Sequence, residues 1–147
     1  MASTAELAAT GCAGVLAGAF VFVSAVDTRT LSKIASSGDA DTLKKFFPVW
    51  WPCGRDCMLP LLLSVAGSHA AAYWASKRPC WLSTGAAAFA IAPYTALVLG
   101  EDIKSLMKAG SDEVCVTAQR FCMLHQPRLL VALGTFVASL AALHKGS

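Results

Sequence analysis

Four stretches of this chain, over 7–26, 57–76, 79–100 and 129–144, hold none of its 21 charged side chains. They are 20, 20, 22 and 16 residues long and make up 78 of the 147 residues. A bilayer's hydrocarbon core takes about 20 apolar residues of helix to cross. A soluble helical domain would instead place charges along the outer face of each helix. Transmembrane strands need only about 10 residues, alternating in character, and no such alternation is present. The pattern therefore specifies a small integral membrane protein of the all-α class, a four-helix transmembrane bundle. Its helices are expected over about 5–26, 57–76, 80–100 and 120–143, the last starting at Val114 or Arg120.

The 56% hydrophobic content exceeds the globular average of about 45–50% and fits one membrane domain. The net charge of +3 is too small to imply nucleic acid, and the longest basic runs, Lys44-Lys45 and Lys77-Arg78, read as interface anchors. Only Glu6 precedes the first apolar stretch, so it lacks the basic flank of a signal peptide and reads as a retained helix. Gly11, Gly14 and Gly18 mark that helix. Gly14 and Gly18 form a GxxxG step, which lets backbones approach closely, either within the bundle or across a homodimer or another membrane partner.

A polar loop of about 30 residues is expected from Asp27 to Asp56. Within it, Thr28–Ser37 reads as a short amphipathic helix broken by Gly38. A second is capped by Asp39 or Asp41 and ended by Pro48. Phe46, Phe47, Trp50 and Trp51 suit an aromatic belt at the membrane surface. Pro93 is expected to kink the third helix. Residues 101–120 form a second polar segment with its breaker at Gly110-Ser111-Asp112. Eight Lys and Arg lie in the two polar segments and three on the other face. The positive-inside rule thus puts 27–56 and 101–120 on the cytosolic side and both termini opposite.

Each helix brings an ionisable group to that polar face: Asp27 and Arg29, Arg55 and Asp56, Glu101 and Asp102, then His125 and Arg128. Intramembrane charges are costly and usually face the interior. The ring reads either as a salt-bridge network closing the bundle or as a site for a polar substrate head or a proton. His69, deep in the second helix, reads as a buried histidine bonded to a neighbouring helix or as a proton acceptor. The six cysteines show no CxxC pair or His-rich spacing, so no metal site is expected.

Several segments in order carry a resemblance. They are Gly14-Val-Leu-Ala-Gly18 running into Val26-Asp27-Thr28-Arg29, then Trp50-Trp51-Pro52-Cys53-Gly54-Arg55, Pro93-Tyr94-Thr95, and Phe121-Cys-Met-Leu-His125-Gln-Pro-Arg128. Over about residues 11–143 the chain resembles the anthrone-oxygenase-like family, small four-helix membrane proteins otherwise described as a domain of unknown function. The resemblance implies oxidation of an anthrone- or quinone-like aromatic substrate without metal or flavin. His125 would be the base and Arg128 would stabilise the enolate oxygen, with Tyr94 in the matching segment. Where the family usually carries Pro-Thr-Asn, this chain has Glu101-Asp102-Ile103, so any catalytic role of that Asn is absent. The family is wider than the anthrone pathways, so a non-catalytic accessory or structural membrane subunit stands beside the oxygenase reading.

Overall fold

The computed structural model describes residues 2–108 and 113–145. Among the described residues every regular element is helical: α1 (Thr4–Phe22), a π turn (Val23–Asp27), α2 (Thr28–Ser36), α3 (Ala40–Ser76), α4 (Pro79–Phe89), α5 (Ile91–Val98), α6 (Gly100–Met107) and α7 (Val114–His144). Four helical segments are long and apolar enough to cross a membrane, Thr4–Ser36, Ala40–Ser76, Pro79–Val98 and Val114–His144.

Local chemistry accounts for the helix ends. Ser3 caps α1 in a reciprocal box with Glu6: the Glu6 backbone N–H donates to Ser3 Oγ, and the Ser3 N–H donates to Glu6 Oε2 at 2.9 Å. Gly38, at φ +76°, makes the sharp turn out of α2. Asp39 then caps α3 by accepting the Thr42 N–H at 3.0 Å. Lys77 closes α3 in the left-handed region, and Pro79 opens α4 in its first turn. The third segment breaks at Ala90. The interruption falls where Pro93 cannot donate to the carbonyl of Phe89, four residues before it.

The first polar loop needs correction. Its first half continues helix 1 through the π turn into α2. Its second half is the opening of a single 37-residue helix, α3, which runs through Pro48, Pro52 and Pro60. Pro48 does not end it. The reason is tertiary packing: Phe47, Trp50 and Trp51 surround Phe121 of α7, all edge-on, at ring-centroid distances of 5.4, 6.2 and 5.8 Å. Aromatic pairs of this geometry are worth about 0.5–1.5 kcal/mol each beyond their burial. Leu31, Leu43 and Phe47, expected in short helices at the membrane surface, thus join Leu99 and Phe121 in the largest buried cluster among the described residues. The fourth helix starts at the earlier of its two expected positions, and the second polar segment contributes α6. Its expected breaker at Gly110-Ser111-Asp112 lies outside the described residues.

α1 packs on α3 and α7, and α4 packs on both. Of the three glycines of α1, Gly14 meets a neighbour: a Cβ there would sit 3.0 Å from the Phe136 ring. Gly11 and Gly18 face open space, so the close approach rests on Gly14 rather than on the Gly14–Gly18 pair. A tighter approach is at Gly85, where a Cβ would lie 2.7 Å from the Cβ of His69. Large apolar side chains such as Val15, Leu63, Leu97, Leu130 and Val137 point outward. Glu6, His69, Thr135, Ser139, His125 and Arg128 are buried. Polar groups inside and apolar groups outside invert the soluble pattern and suit a hydrocarbon solvent.

Candidate functional site

The interior polar groups fall into two layers. Near the chain termini, Glu6 accepts hydrogen bonds from Trp81 Nε1 at 3.1 Å and from Arg78 Nη1 at 3.4 Å, and Arg78 Nη2 donates to the Ala142 carbonyl. Deeper in, His69 donates from Nδ1 to the Val65 carbonyl (2.8 Å), and its Nε2 lies 2.9 Å from Ser139 Oγ of α7. Both rings of contacts tie helices together. His69 is therefore bonded to a neighbouring helix, the first of its two expected readings.

The second layer surrounds a cavity of about 270 Å³ between α1, α3, α5 and α7. Its wall is mainly apolar, from Phe20, Met58, Leu62 and Ile91, with Trp50 and Trp51 along one side. Asp27, Thr95, His125 and Arg128 supply polar groups, and Arg55 sits at the edge. A cavity of this lining, apolar with a few placed polar groups, is the usual form of a small-molecule site.

Arg128 is 6% exposed and has no carboxylate within ion-pair distance among the described residues. Its Nη2 donates to His125 Nδ1, and its Nη1 reaches Thr95 Oγ1 at 3.4 Å. Its Nε has no partner. The guanidinium carbon stands 5.7 Å from the centre of the Phe121 ring, a cation–π arrangement. Of five guanidinium hydrogens, few are satisfied in a place where each unsatisfied one is costly.

Arginine cannot accept, so His125 Nδ1 must. The proton of the neutral imidazole is then on Nε2, which donates to Ser24 Oγ at 3.0 Å. Ser24 reaches that position from the π turn. The extra residue there re-aims the helix so that Ser24 meets α7 while Asp27 accepts the Trp50 indole N–H of α3 at 3.1 Å.

The expected ring of charges is therefore divided. His125, Arg128 and Asp27 come together at the cavity, and Arg55 is at its rim, paired with exposed Asp56 at 2.7 Å. Tyr94 adjoins Arg128 from another side and donates its hydroxyl to the Leu124 carbonyl at 3.0 Å. Arg29 lines a separate groove on the far side of α1. Glu101 is exposed and pairs with Lys104, which holds its carboxyl below the usual range. Asp102 is buried against α7, 3.4 Å from Arg120. Ser24, Trp50 and Thr95 join the site as bonding partners of His125, Asp27 and Arg128. Trp50 and Thr95 fall within the resembling segments, whereas nothing in the sequence marks Ser24 apart from other hydroxyls in apolar helices.

No family model, curated protein or solved structure matches the chain.

Proposed function

We propose that this chain is a multi-pass integral membrane protein whose four spanning segments form a bundle around a binding site for a flat, hydrophobic small molecule bearing a carbonyl or phenolate oxygen. Arg128 carries the proposal. A buried guanidinium without a carboxylate faces an apolar, aromatic-walled cavity, with an Nε–H that no protein group accepts. An oxygen acceptor on an otherwise apolar ligand would satisfy it, and the indoles of Trp50 and Trp51 offer flat surfaces for the rings. A quinone- or anthrone-like molecule has this form, in keeping with the resemblance to the anthrone-oxygenase-like family. The Lys and Arg asymmetry of the sequence supports placing this end of the bundle, with 27–56 and 101–120, on the cytosolic side.

Binding alone suits a non-catalytic membrane subunit. The Arg128–His125 bond favours a second reading, a cofactor-independent oxygenase. A ligand oxygen that draws Nη2 to itself leaves the Nδ1 lone pair of His125 free to take a proton from the CH₂ carbon that lies across the central ring from the carbonyl and is conjugated with it. The electron pair left behind moves onto the oxygen held by Arg128. Dioxygen is the oxidant: the CH₂ carbon becomes a carbonyl with one oxygen atom, and the other leaves as water.

The test is a titration of the purified protein in lipid nanodiscs with a short-chain quinone, read by quenching of tryptophan fluorescence. Loss of a hydrogen bond to a charged donor, about 1.5–3 kcal/mol, predicts that Arg128→Gln weakens binding about ten- to a hundredfold. Equal binding by wild type and variant would refute the site. Oxygen uptake with an anthrone, absent in His125→Ala, would separate the enzyme from the binding subunit.

A further inference from the structure

The groove lined by Arg29 has a different chemistry from the cavity and shares no lining residue with it. It encloses about 970 Å³ between two helix stripes. One runs from Val21 through Ser24, Arg29 and Lys33 to Ser36 along α1, the π turn and α2, and the other from Gln119 through Cys122 to Leu129 on α7. Arg29 and Lys33, at i and i+4, share a face. Neither pairs with a carboxylate among the described residues, and no acid lines the groove. The nearest acid in sequence, Asp27, is bonded to Trp50 at the cavity. Ser32, Gln119 and Gln126 line the groove with polar side chains. Polar donors thus gather at the α2 end, and Val21 and Leu129 lie at the other.

This gradient matches depth in a bilayer. Arg29 and Lys33 are about 35 and 40 Å along the helix from Glu6, at about 1.5 Å per residue. A hydrocarbon core of about 30 Å that begins near Glu6 ends short of them. The cations then stand at headgroup level, with the apolar part of the groove beside the acyl chains. We infer that the groove between α1–α2 and α7 holds one anionic phospholipid, its phosphate on Arg29 and Lys33 and a chain along Val21 and Leu129. The groove is complementary in charge to an anionic headgroup and in polarity to the lipid as a whole. This inference needs the membrane insertion of Thr4–Ser36 but not the ligand proposed for the cavity.

Native mass spectrometry of the full chain, released from detergent after incubation with phosphatidylglycerol or phosphatidylcholine, reads the site directly. Phosphatidylglycerol should be retained in preference. A basic residue near an anionic lipid surface contributes enough that each loss should weaken retention about fivefold, and Arg29→Gln with Lys33→Gln about thirtyfold. Lys44→Gln with Lys45→Gln, which removes two charges from the same end outside the groove, should leave retention unchanged. Glycerophosphate, the headgroup chemistry without chains, should not displace the lipid. Equal retention of both lipids, no loss in R29Q/K33Q, or equal loss in the Lys44 and Lys45 variant would overturn the site. Displacement by glycerophosphate would show a free-anion site instead. The double variants alter side chains that are exposed or, at Lys44, half-buried, and an unchanged helical circular dichroism signal and melting curve in detergent would show that both remain folded.

Discussion

Arg128 donates to Nδ1 of His125 one helical turn away, which fixes the imidazole as the Nε2–H tautomer bonded to Ser24. Nitrogen-15 spectra of histidine-labelled protein should therefore show a bare Nδ1 and a protonated Nε2 for His125. Ser24→Ala should leave Nε2 without an acceptor and destabilise the protein by about 1–3 kcal/mol. A protonated Nδ1 in the wild type would contradict this geometry.

Glu6 ties the terminal layer together, accepting from Trp81 and Arg78. Its side chain is 6% exposed and that of Arg78 is 28% exposed. Glu6→Ala leaves the Trp81 indole N–H without its acceptor and Arg78 with only the Ala142 carbonyl, and should cost about 3 kcal/mol in unfolding by mixed detergent micelles. Trp81→Phe, which removes one neutral donor, should cost about 1 kcal/mol through the lost hydrogen bond. Equal effects would mean that the charge of Glu6 contributes nothing.

Gly85 and Gly18 make opposite predictions. Adding a Cβ at Gly85 forces it against His69, whereas Gly18 faces open space. Gly85→Ala should destabilise by about 1–3 kcal/mol, as overpacking does. Gly18→Ala should stay within about 0.5 kcal/mol, as surface changes do. Thermal unfolding in one detergent checks both, and a dimer face at Gly18 would reverse the ranking.

The cap of α3 depends on pH in a defined sense. The Thr42 hydroxyl and backbone N–H hold the Asp39 carboxyl below the usual carboxylate range. A pKa depressed by folding means that the stabilisation is complete above the unfolded value, about 3.9. It is lost as pH falls through the lower folded value. The carboxyl carbon-13 signal of Asp39 should titrate below that of a free aspartate, and Thr42→Val should raise its midpoint. An unshifted midpoint would show that the cap is not formed.

The spanning helices were legible because each keeps charge out of a long stretch, and hydrocarbon imposes that rule on every residue of the span. Gly38 and Asp39 were legible because turn and cap chemistry is local. The short helix expected from Asp39 to Pro48 is real, but it does not stop there: the prolines and charges of 48–56 carry the local signature of a loop, whereas packing of Phe47, Trp50 and Trp51 on Phe121 holds them on a continuous helix. Asp27 and Arg29 were grouped by depth. Two residues apart on a helix they diverge by about 200°, at 3.6 residues per turn, so one meets the cavity and the other the groove. The same limit hid Ser24: the π turn that aims it at His125 has no marker in Val23-Ser24-Ala25-Val26-Asp27.

The central claim is that the cavity beside Arg128 receives a flat, oxygen-bearing hydrophobic molecule. Photolabelling with an azidoquinone in nanodiscs, followed by peptide mapping, tests it most directly. The account predicts label on the cavity residues Trp50, Trp51, Met58 or Leu62, competed by unlabelled quinone and lost in Arg128→Gln. Label confined to outward-facing residues such as Leu97, Leu130 and Val137, unaffected by Arg128→Gln, would contradict it.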